Sequence, residues 1–206
     1  LSRVGKEMTT DELTEIILRD KPFFDVSGGG VTLSGGEPTM YMNYTSELMQ
    51  KLKARGIHTL LETCGQFRFD NFERLVLPYI DMIYYDIKIM DPDLHRLYCG
   101  VGNELIQDNF LRLKRLSENG GFSIIPRTPL IPNITDTEPN LNAIACFLQQ
   151  LGVRKAQLLL YNPLWYEKNQ KLGLENQQFS GENKRWQDQE KVARCESIYR
   201  DRGIEV

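Results

Sequence analysis

The fold of this chain is decided by a pattern first met at residues 31–38, which read Val31-Thr32-Leu33-Ser34-Gly35-Gly36-Glu37-Pro38. The first three residues are typical of a short buried strand, and a polar, glycine-rich turn follows it. Gly35 and Gly36 allow positive φ or a close approach of a ligand to the backbone, and Pro38 restricts Glu37 to an extended conformation. We therefore expect a carboxylate held rigidly at a strand exit, suited to an ammonium group. A tight turn with an exposed glutamate would give the same pattern.

The same succession of an apolar strand, a polar end and a helix recurs along the chain. Further strands are predicted at 57–61, 82–85, 122–125 and 156–160, and a last one begins near 203. Apolar residues at helical spacing lie between them. A capping box at residues 9–12 starts the first helix, and Asp70 is expected to cap a short one. Residues 91–103 are predicted to form a loop or an irregular turn.

Alternating strands and helices build a parallel sheet with helices outside it, so the predicted fold class is α/β. A closed eight-stranded barrel typically needs about 250 residues. Five strands in 206 residues therefore favour an open or partial barrel. We expect residues 165–185, which are polar and rich in Gln and Asn, to form a long loop or a partly disordered segment.

Polar residues follow all five main strands. In parallel α/β sheets the active site lies at the carboxyl ends of the strands, so we expect these side chains to converge on one edge. Asp86 and Lys88 are two residues apart on a strand and face the same side. They could bind a polar ligand, or they could be a structural ion pair. The polar residues at the strand ends are Glu37, Glu62, Asp86, Lys88, Arg127 and Asn162.

Composition excludes several classes of function. Lys and Arg number 25 and Asp and Glu 28, for a net charge of −3, with no clustered basic face of the kind that binds nucleic acid. No apolar run approaches the roughly 18 residues of a membrane span. The cysteines are too far apart for a local zinc site, and with no signal-peptide pattern they favour a reducing, cytoplasmic setting. They are Cys64, Cys99, Cys146 and Cys195.

With these residues in place, the chain resembles the radical S-adenosylmethionine (SAM) enzymes that activate glycyl radical enzymes, of which the pyruvate formate-lyase activating enzyme is the type member. The resemblance runs from about Gly5 to Gly173. It is carried by the long motif of residues 27–38 and by shorter motifs in a fixed order. The shorter motifs are Phe23-Phe24, Gly56-Ile57-His58-Thr59, Glu62-Thr63-Cys64-Gly65, Asp86-Ile87-Lys88, Gly100-Val101-Gly102-Asn103-Glu104 and Pro129-Leu130-Ile131-Pro132.

The resemblance implies a partial (β/α)6, TIM-like barrel that binds SAM beside a [4Fe-4S] cluster. Residues 1–165 would be the barrel core, carrying strands 2 to 6 of the family pattern. Residues 166–206 would be a polar C-terminal segment with a terminal helix. The first strand and its cluster loop are absent from this sequence, and we expect them to belong to a missing front before Leu1.

The resemblance also implies roles for individual residues. Gly35, Gly36 and Glu37 would hold the methionine amino group of SAM. Glu62 falls where the family has an acidic residue near the ligand or a bound cation. Asp86 and Lys88 would contact the nucleoside and carboxylate parts of SAM, and Arg127 would help to bind the carboxylate. Pro38 and Ile87 would contribute to the cofactor site as neighbours of these residues in the motifs.

Two departures from the family pattern are visible. Asn162 stands where the family often has a histidine, and an amide cannot titrate near neutral pH. The Cys-x3-Cys-x2-Cys motif is absent, and four dispersed cysteines do not replace it as thiolate ligands of a cluster. We therefore list no metal ligand, and we expect the chain as given to lack the cluster and the activity that depends on it.

The implied activity of the intact family member is reductive cleavage of SAM to a 5′-deoxyadenosyl radical, which takes a hydrogen atom from a glycine of the partner enzyme. The implied partners are a glycyl radical enzyme as protein substrate and an electron donor such as flavodoxin or ferredoxin. Neither nucleic acid nor a membrane is expected as a partner. Two alternatives remain: a cluster-free lyase or aldolase that uses Lys88 as a Schiff-base amine, and a non-catalytic fragment that binds SAM or a partner.

Overall fold

A computed structural model describes residues 5–163 and 186–206. Five strands form a parallel sheet in the order β1-β2-β3-β4-β5, which confirms the predicted α/β class. Because neighbouring strands follow one another in the chain, each connection crosses to the next strand along. The strands are β1 Gly30–Leu33, β2 His58–Thr63, β3 Met82–Asp86, β4 Ser123–Pro129 and β5 Gln157–Leu159.

The helices of the described residues lie between these strands and at both ends of the chain. The capping box is confirmed: the Thr9 hydroxyl accepts from the Glu12 amide at 3.2 Å, and the Glu12 carboxylate accepts from the Thr9 amide at 2.8 Å. No helix of these residues is long and apolar enough to cross a membrane. The helices are α1 Thr10–Ile17, α2 Lys21–Ser27, α3 Met42–Lys53, α4 Phe69–Leu75, α5 Pro92–Cys99, α6 Glu104–Ser117, α7 Glu138–Gln150 and α8 Gln189–Arg200.

The described chain divides into two compact units. The first holds the residues up to Tyr85 together with Leu105–Ile124, and the second holds Asp86–Glu104 and the residues from Ile125 onward. In the first unit, buried side chains of α3 and of the approach to β2 form one apolar cluster, against which α1, α2 and β1 pack. Its members are Leu48, Leu52 and Ile57, with Leu13, Ile17, Leu18, Phe24, Val31 and Leu33 around them.

The second unit is built around helices α7 and α8, which pack against each other. Tyr199 of α8 is fully buried, and burial raises the pKa of its phenol well above the usual value. Its hydroxyl lies 3.3 Å from the Thr128 hydroxyl on β4, so α8 is joined to the sheet by a buried polar contact. The strand predicted to begin near 203 is instead a single parallel bridge between Lys155 and Glu205.

Two local predictions are wrong. Residues 91–103 are not a loop, because Pro92–Cys99 forms helix α5, whose first turn is capped by Asp91. Gly100 ends that helix in the left-handed conformation, with φ 81°. Asp70 is not a cap, since it lies in the first turn of α4 and Arg68 precedes the helix. The predicted polar segment 165–185 and the domain boundary at 165/166 lie outside the described residues.

Candidate functional site

The turn after β1 has the backbone that its glycines and proline predict. Gly35 and Gly36 have φ of 82° and 80°, the left-handed region that side chains disfavour. A Cβ added to either would meet no described atom within 4 Å, so the backbone conformation, and not crowding, calls for glycine. Glu37 is extended, with φ −125° and ψ 105°, and Pro38 starts a short 3-10 turn. Open space beside both glycines leaves room for a ligand at the backbone.

The Glu37 carboxylate faces into the fold and is surrounded by donors. One oxygen accepts from the Thr39 amide at 3.2 Å, the Thr39 hydroxyl at 2.7 Å and the Thr63 hydroxyl at 2.8 Å; the other accepts from the Cys64 amide at 2.8 Å. Burial raises the pKa of Glu37, but the hydrogen bonds from Cys64, Thr39 and Thr63 outweigh it, and the net pKa is lowered. This carboxylate therefore fastens the turn after β1 to the end of β2.

Glu62, near the end of β2, is joined to the neighbouring turn. Its carboxylate accepts from the Ser34 hydroxyl at 2.5 Å. An apolar cavity of about 790 Å³ adjoins this turn and is lined by α1, β1, α3 and the residues Gly35 to Pro38. The predicted residues of the first unit, from Gly35 to Glu62, thus lie together at the carboxyl ends of β1 and β2.

A second group of predicted residues surrounds the Asp86 carboxylate. Arg127 Nε and Nη2 donate to one oxygen of Asp86 at 3.1 and 3.0 Å, and Lys88 Nζ lies 3.6 Å from the other oxygen. The Arg127 side chain is only 9% exposed, whereas Lys88 is 31% exposed. Arg127 and Lys88 both face this carboxylate, and the partly exposed Lys88 ammonium also suits an anionic group of a ligand.

Ile87 lies between these charged residues and has the opposite orientation. Its side chain is buried, as are those of Ile83 and Tyr85, so the predicted alternation of the strand is confirmed. The Ile87 amide donates to the Arg127 carbonyl at 2.8 Å, and its carbonyl accepts from the Thr128 hydroxyl at 2.9 Å. These bonds fix the backbone from which Asp86 and Lys88 project.

Asn162 follows β5, and its side chain is exposed. Its ligand contact stays a prediction, as do the ligand contacts of the other predicted residues.

Sequence reasoning missed the polar side chains that hold the loops after the strands. Asn109 of α6 is fully buried and donates to the Gly65 and Phe67 carbonyls, both at 2.8 Å, which fixes the loop after β2. Asn103 and Asn140 hold the segment after β3 in the same way. Asn103 belongs to a motif quoted above and could have been found there, whereas Asn109 and Asn140 are each one of several polar residues in an amphipathic helix and give no local signal.

The described residues do not fit a [4Fe-4S] cluster. Such a cluster takes thiolate ligands, and within residues 5–163 and 186–206 no group of three His, Cys, Asp or Glu side chains could hold a metal ion. Cys64 is half-buried, Cys99 and Cys146 are exposed, and Cys195 is buried. The charged groups at the strand ends, by contrast, fit the zwitterionic methionine end of SAM.

Comparison with known proteins shows which family the chain is similar to. The model of the Radical SAM superfamily matches residues 1–141. The (2S)-3-sulfopropanediol dehydratase activating enzyme of Klebsiella oxytoca is 37% identical over 203 residues, 97% of this chain and 62% of that protein. The pyruvate formate-lyase-activating enzyme of Clostridium pasteurianum is 36% identical over 172 residues, 83% of this chain and 70% of that protein.

A solved structure supports the same assignment. The crystal structure of a domain of pyruvate-formate lyase-activating enzyme from Bacteroides vulgatus superimposes with a TM-score of 0.67 at 26% identity, covering 86% of this chain and 96% of that one. The chain spans between about half and 70% of the length of the curated relatives it matches. The superfamily match covers well over half of the sequence, and the fold and the motif order agree with it. The chain therefore belongs to the radical SAM superfamily and, within it, to the family of glycyl radical enzyme activating enzymes.

Proposed function

We propose that this chain binds SAM as part of an enzyme that activates a glycyl radical enzyme. The observation that carries the proposal is the Asp86 carboxylate held between Lys88 and Arg127, at distances of 3.6 Å and 3.0 Å. Lys88 is 31% exposed and its Nζ lies beyond hydrogen-bond distance of Asp86, so its ammonium can also donate to a ligand carboxylate. Family membership supports SAM as that ligand.

Each predicted residue has a proposed part in holding SAM, which for Glu37 is to fasten the turn that receives the ammonium group. Lys88 and Arg127 attract the methionine carboxylate, and Asp86 orients both cations and contacts the nucleoside. The turn at Gly35 and Gly36 receives the ammonium group through its backbone, because four donors of the chain already occupy the Glu37 carboxylate. Further contacts are proposed for Glu62, with the ligand or a bound cation, for Asn162 as a hydrogen-bonding partner, and for the backbone at Pro38 and Ile87.

When bound beside a reduced [4Fe-4S] cluster, SAM supplies the radical chemistry that removes a hydrogen atom from a glycine of the protein substrate. We propose a glycyl radical enzyme as that substrate and a flavodoxin or ferredoxin as the electron donor. The names of the relatives cover dehydratases, lyases and a decarboxylase, so a pyruvate formate-lyase type of substrate is one proposal among these. We also propose residues 1–165 as the SAM-binding core and 166–206 as a C-terminal segment.

Calorimetric titration with SAM tests the proposal. We expect saturable binding to the wild-type chain and at least about tenfold weaker binding for Asp86→Ala, because a charge-assisted contact is lost and Arg127 is left without this partner. Asp93→Ala is the matched control, since Asp93 pairs with Arg96 on the exposed face of α5. Absence of binding, or equal binding by Asp86→Ala and wild type, would contradict the proposal.

Two further experiments separate the alternatives. If Lys88 pairs with Asp86 and with the carboxylate of SAM, as proposed, it does not act as a Schiff-base amine, so borohydride should not trap a carbonyl substrate on Lys88. Anaerobic reconstitution with iron and sulfide, followed by visible absorption, should give no stoichiometric cluster on this chain. A stoichiometric cluster would show that its dispersed cysteines suffice.

A further inference from the structure

The three residues after Ile87 have no regular secondary structure, although they carry the Lys88 side chain. Backbone groups outside helices and strands need other hydrogen-bond partners when they are removed from water. In this segment, Lys88-Ile89-Met90, the partners are the side-chain amides of two asparagines that are remote in sequence, Asn103 and Asn140. We call these two side chains the amide clamp.

The amide clamp satisfies every carbonyl of the segment. Asn140 Nδ2 donates to the Lys88 carbonyl at 2.9 Å, and Asn140 Oδ1 accepts from the Met90 amide at 3.0 Å. Asn103 Nδ2 donates to the Ile89 carbonyl at 2.9 Å and to the Met90 carbonyl at 2.8 Å. An amide side chain is required, because Asn140 is at once a donor and an acceptor for the same short segment.

Both members of the clamp are themselves held in place. Asn103 is 3% exposed and follows Val101, whose carbonyl lies 2.6 Å from the Nδ1 of buried His95 on α5. Asn140 lies in the first turn of α7, and its Nδ2 also donates to the Thr135 carbonyl at 2.9 Å. The clamp therefore transmits the positions of α5 and α7 to the backbone at Lys88.

We propose that Asn103 and Asn140 are positioning residues that set the direction of Lys88 toward Asp86 and toward the ligand. Neither asparagine needs to touch the ligand for this. The inference rests on the proposed SAM-binding function, because Lys88 is the cation that would meet the methionine carboxylate. It extends the proposed function by two residues, Asn103 from the loop before α6 and Asn140 from α7, which would set the position of the Lys88 ammonium.

Asn140→Leu is the central variant, since leucine has nearly the same shape but forms no hydrogen bond. We expect SAM binding to weaken by about tenfold or more, as is typical for the loss of a supporting residue behind a ligand contact. In a Lys88→Ala background the same substitution should change the dissociation constant by less than about threefold, because coupled residues are not additive. Equal losses in both backgrounds would overturn the proposal.

Asn142→Leu is the matched control on the same helix. Its side-chain nitrogen donates to the Glu138 carbonyl within α7 and its oxygen accepts from Arg202, so these hydrogen bonds lie away from the Lys88 segment. Binding by this variant should stay within about threefold of wild type. If Asn140→Leu does not fold, Asn103→Leu provides the same comparison.

A ligand-free measurement keeps this inference separate from the proposed function. Acylation of Lys88 by acetic anhydride, followed by mass spectrometry with Lys155 as internal reference, reports how well the ammonium is held beside Asp86. We expect Asn140→Leu and Asn103→Leu to raise the relative rate at Lys88, and Asn142→Leu to leave it unchanged. An unchanged rate in all three variants would overturn the clamp, whereas failure of SAM binding in the wild type would overturn only the proposed function.

Discussion

The Glu37 side chain shows what a single carboxylate can do at the end of a strand. It is half-buried, which disfavours the charge, yet four donors from Thr39, Thr63 and Cys64 favour its ionised form. Such a group joins two turns at once, because it accepts from Thr39 in its own turn and from Thr63 and Cys64 at the end of β2. The turn after β1 is therefore held rigid by the Glu37 side chain as well as by Pro38.

Replacing Glu37 by Gln should lower the free energy of unfolding by about 1 to 3 kcal/mol at pH 7. The NH2 group of Gln is itself a donor, so it cannot accept the hydrogen bonds that the carboxylate oxygen in its place now accepts. The pKa of Glu37 is lowered from its usual 4.5 in the folded state. The contribution of its charge is therefore complete above that value and is lost as the pH falls through the folded pKa. Urea unfolding at pH 7, 5, 4 and 3 should show the difference between wild type and variant shrinking only at the acid end.

Glu73→Gln is the control for this experiment, since Glu73 is exposed on α4. Its free energy of unfolding should differ from wild type by less than about 0.5 kcal/mol at every pH. A difference for Glu37→Gln that stays constant down to pH 3 would show that its loss acts through shape and not through charge.

Helix α5 is the element at which sequence interpretation and structure differ most. Asp91 accepts from the Asp93 and Leu94 amides, both at 2.9 Å, Pro92 occupies the first turn, and Gly100 ends the helix. These are ordinary start and stop signals. The apolar residues of this helix do not mark its buried side, because Leu94 and Leu97 are exposed whereas the polar residue His95 is buried, so apolar spacing alone does not predict how α5 packs.

The strands were easier to predict than the polar side chains that hold the loops after them. Alternate residues of a short apolar run such as Met82–Tyr85 are buried. Asp86 and Lys88 continue the other side of this alternation, and they lie beside each other because they are two residues apart. The side chains that support the loops could not be predicted, because the partners of a half-buried amide such as Asn140 lie 50 and 52 residues away. Local spacing specifies a strand end, whereas only the completed fold specifies what holds the loop after it.

Asp91→Ala tests the cap of α5. We expect the free energy of unfolding to fall by about 1 kcal/mol, because two amides of the first turn lose their acceptor. Asp91→Asn keeps a capping oxygen and should lie within about 0.5 kcal/mol of wild type. Urea denaturation followed by circular dichroism measures both. Equal losses in the two variants would indicate that the charge, and not the acceptor, stabilises the helix.

At the scale of the whole molecule, the rates at which the four cysteines react with an alkylating reagent report on folding. They are distributed over α5, α7, α8 and the turn after β2, and their exposure ranges from buried Cys195 to exposed Cys146. Burial raises the pKa of the Cys99 thiol despite nearby Lys88, and burial also raises that of Cys195. Because the thiolate is the reactive form, exposure and pKa together set the order of reaction.

Iodoacetamide labelling at pH 8 with mass-spectrometric mapping should therefore modify Cys146 first and Cys99 more slowly. Cys195 should react at least about a hundredfold more slowly than Cys146 in native buffer, because its alkylation needs the α7–α8 packing to open. Urea near the unfolding midpoint should remove that protection while changing the Cys146 rate little. Native labelling of Cys195 as fast as that of Cys146 would mean that α8 detaches readily from the second unit, since Tyr199, one turn further along the helix, would then lose its buried contact with Thr128 as well.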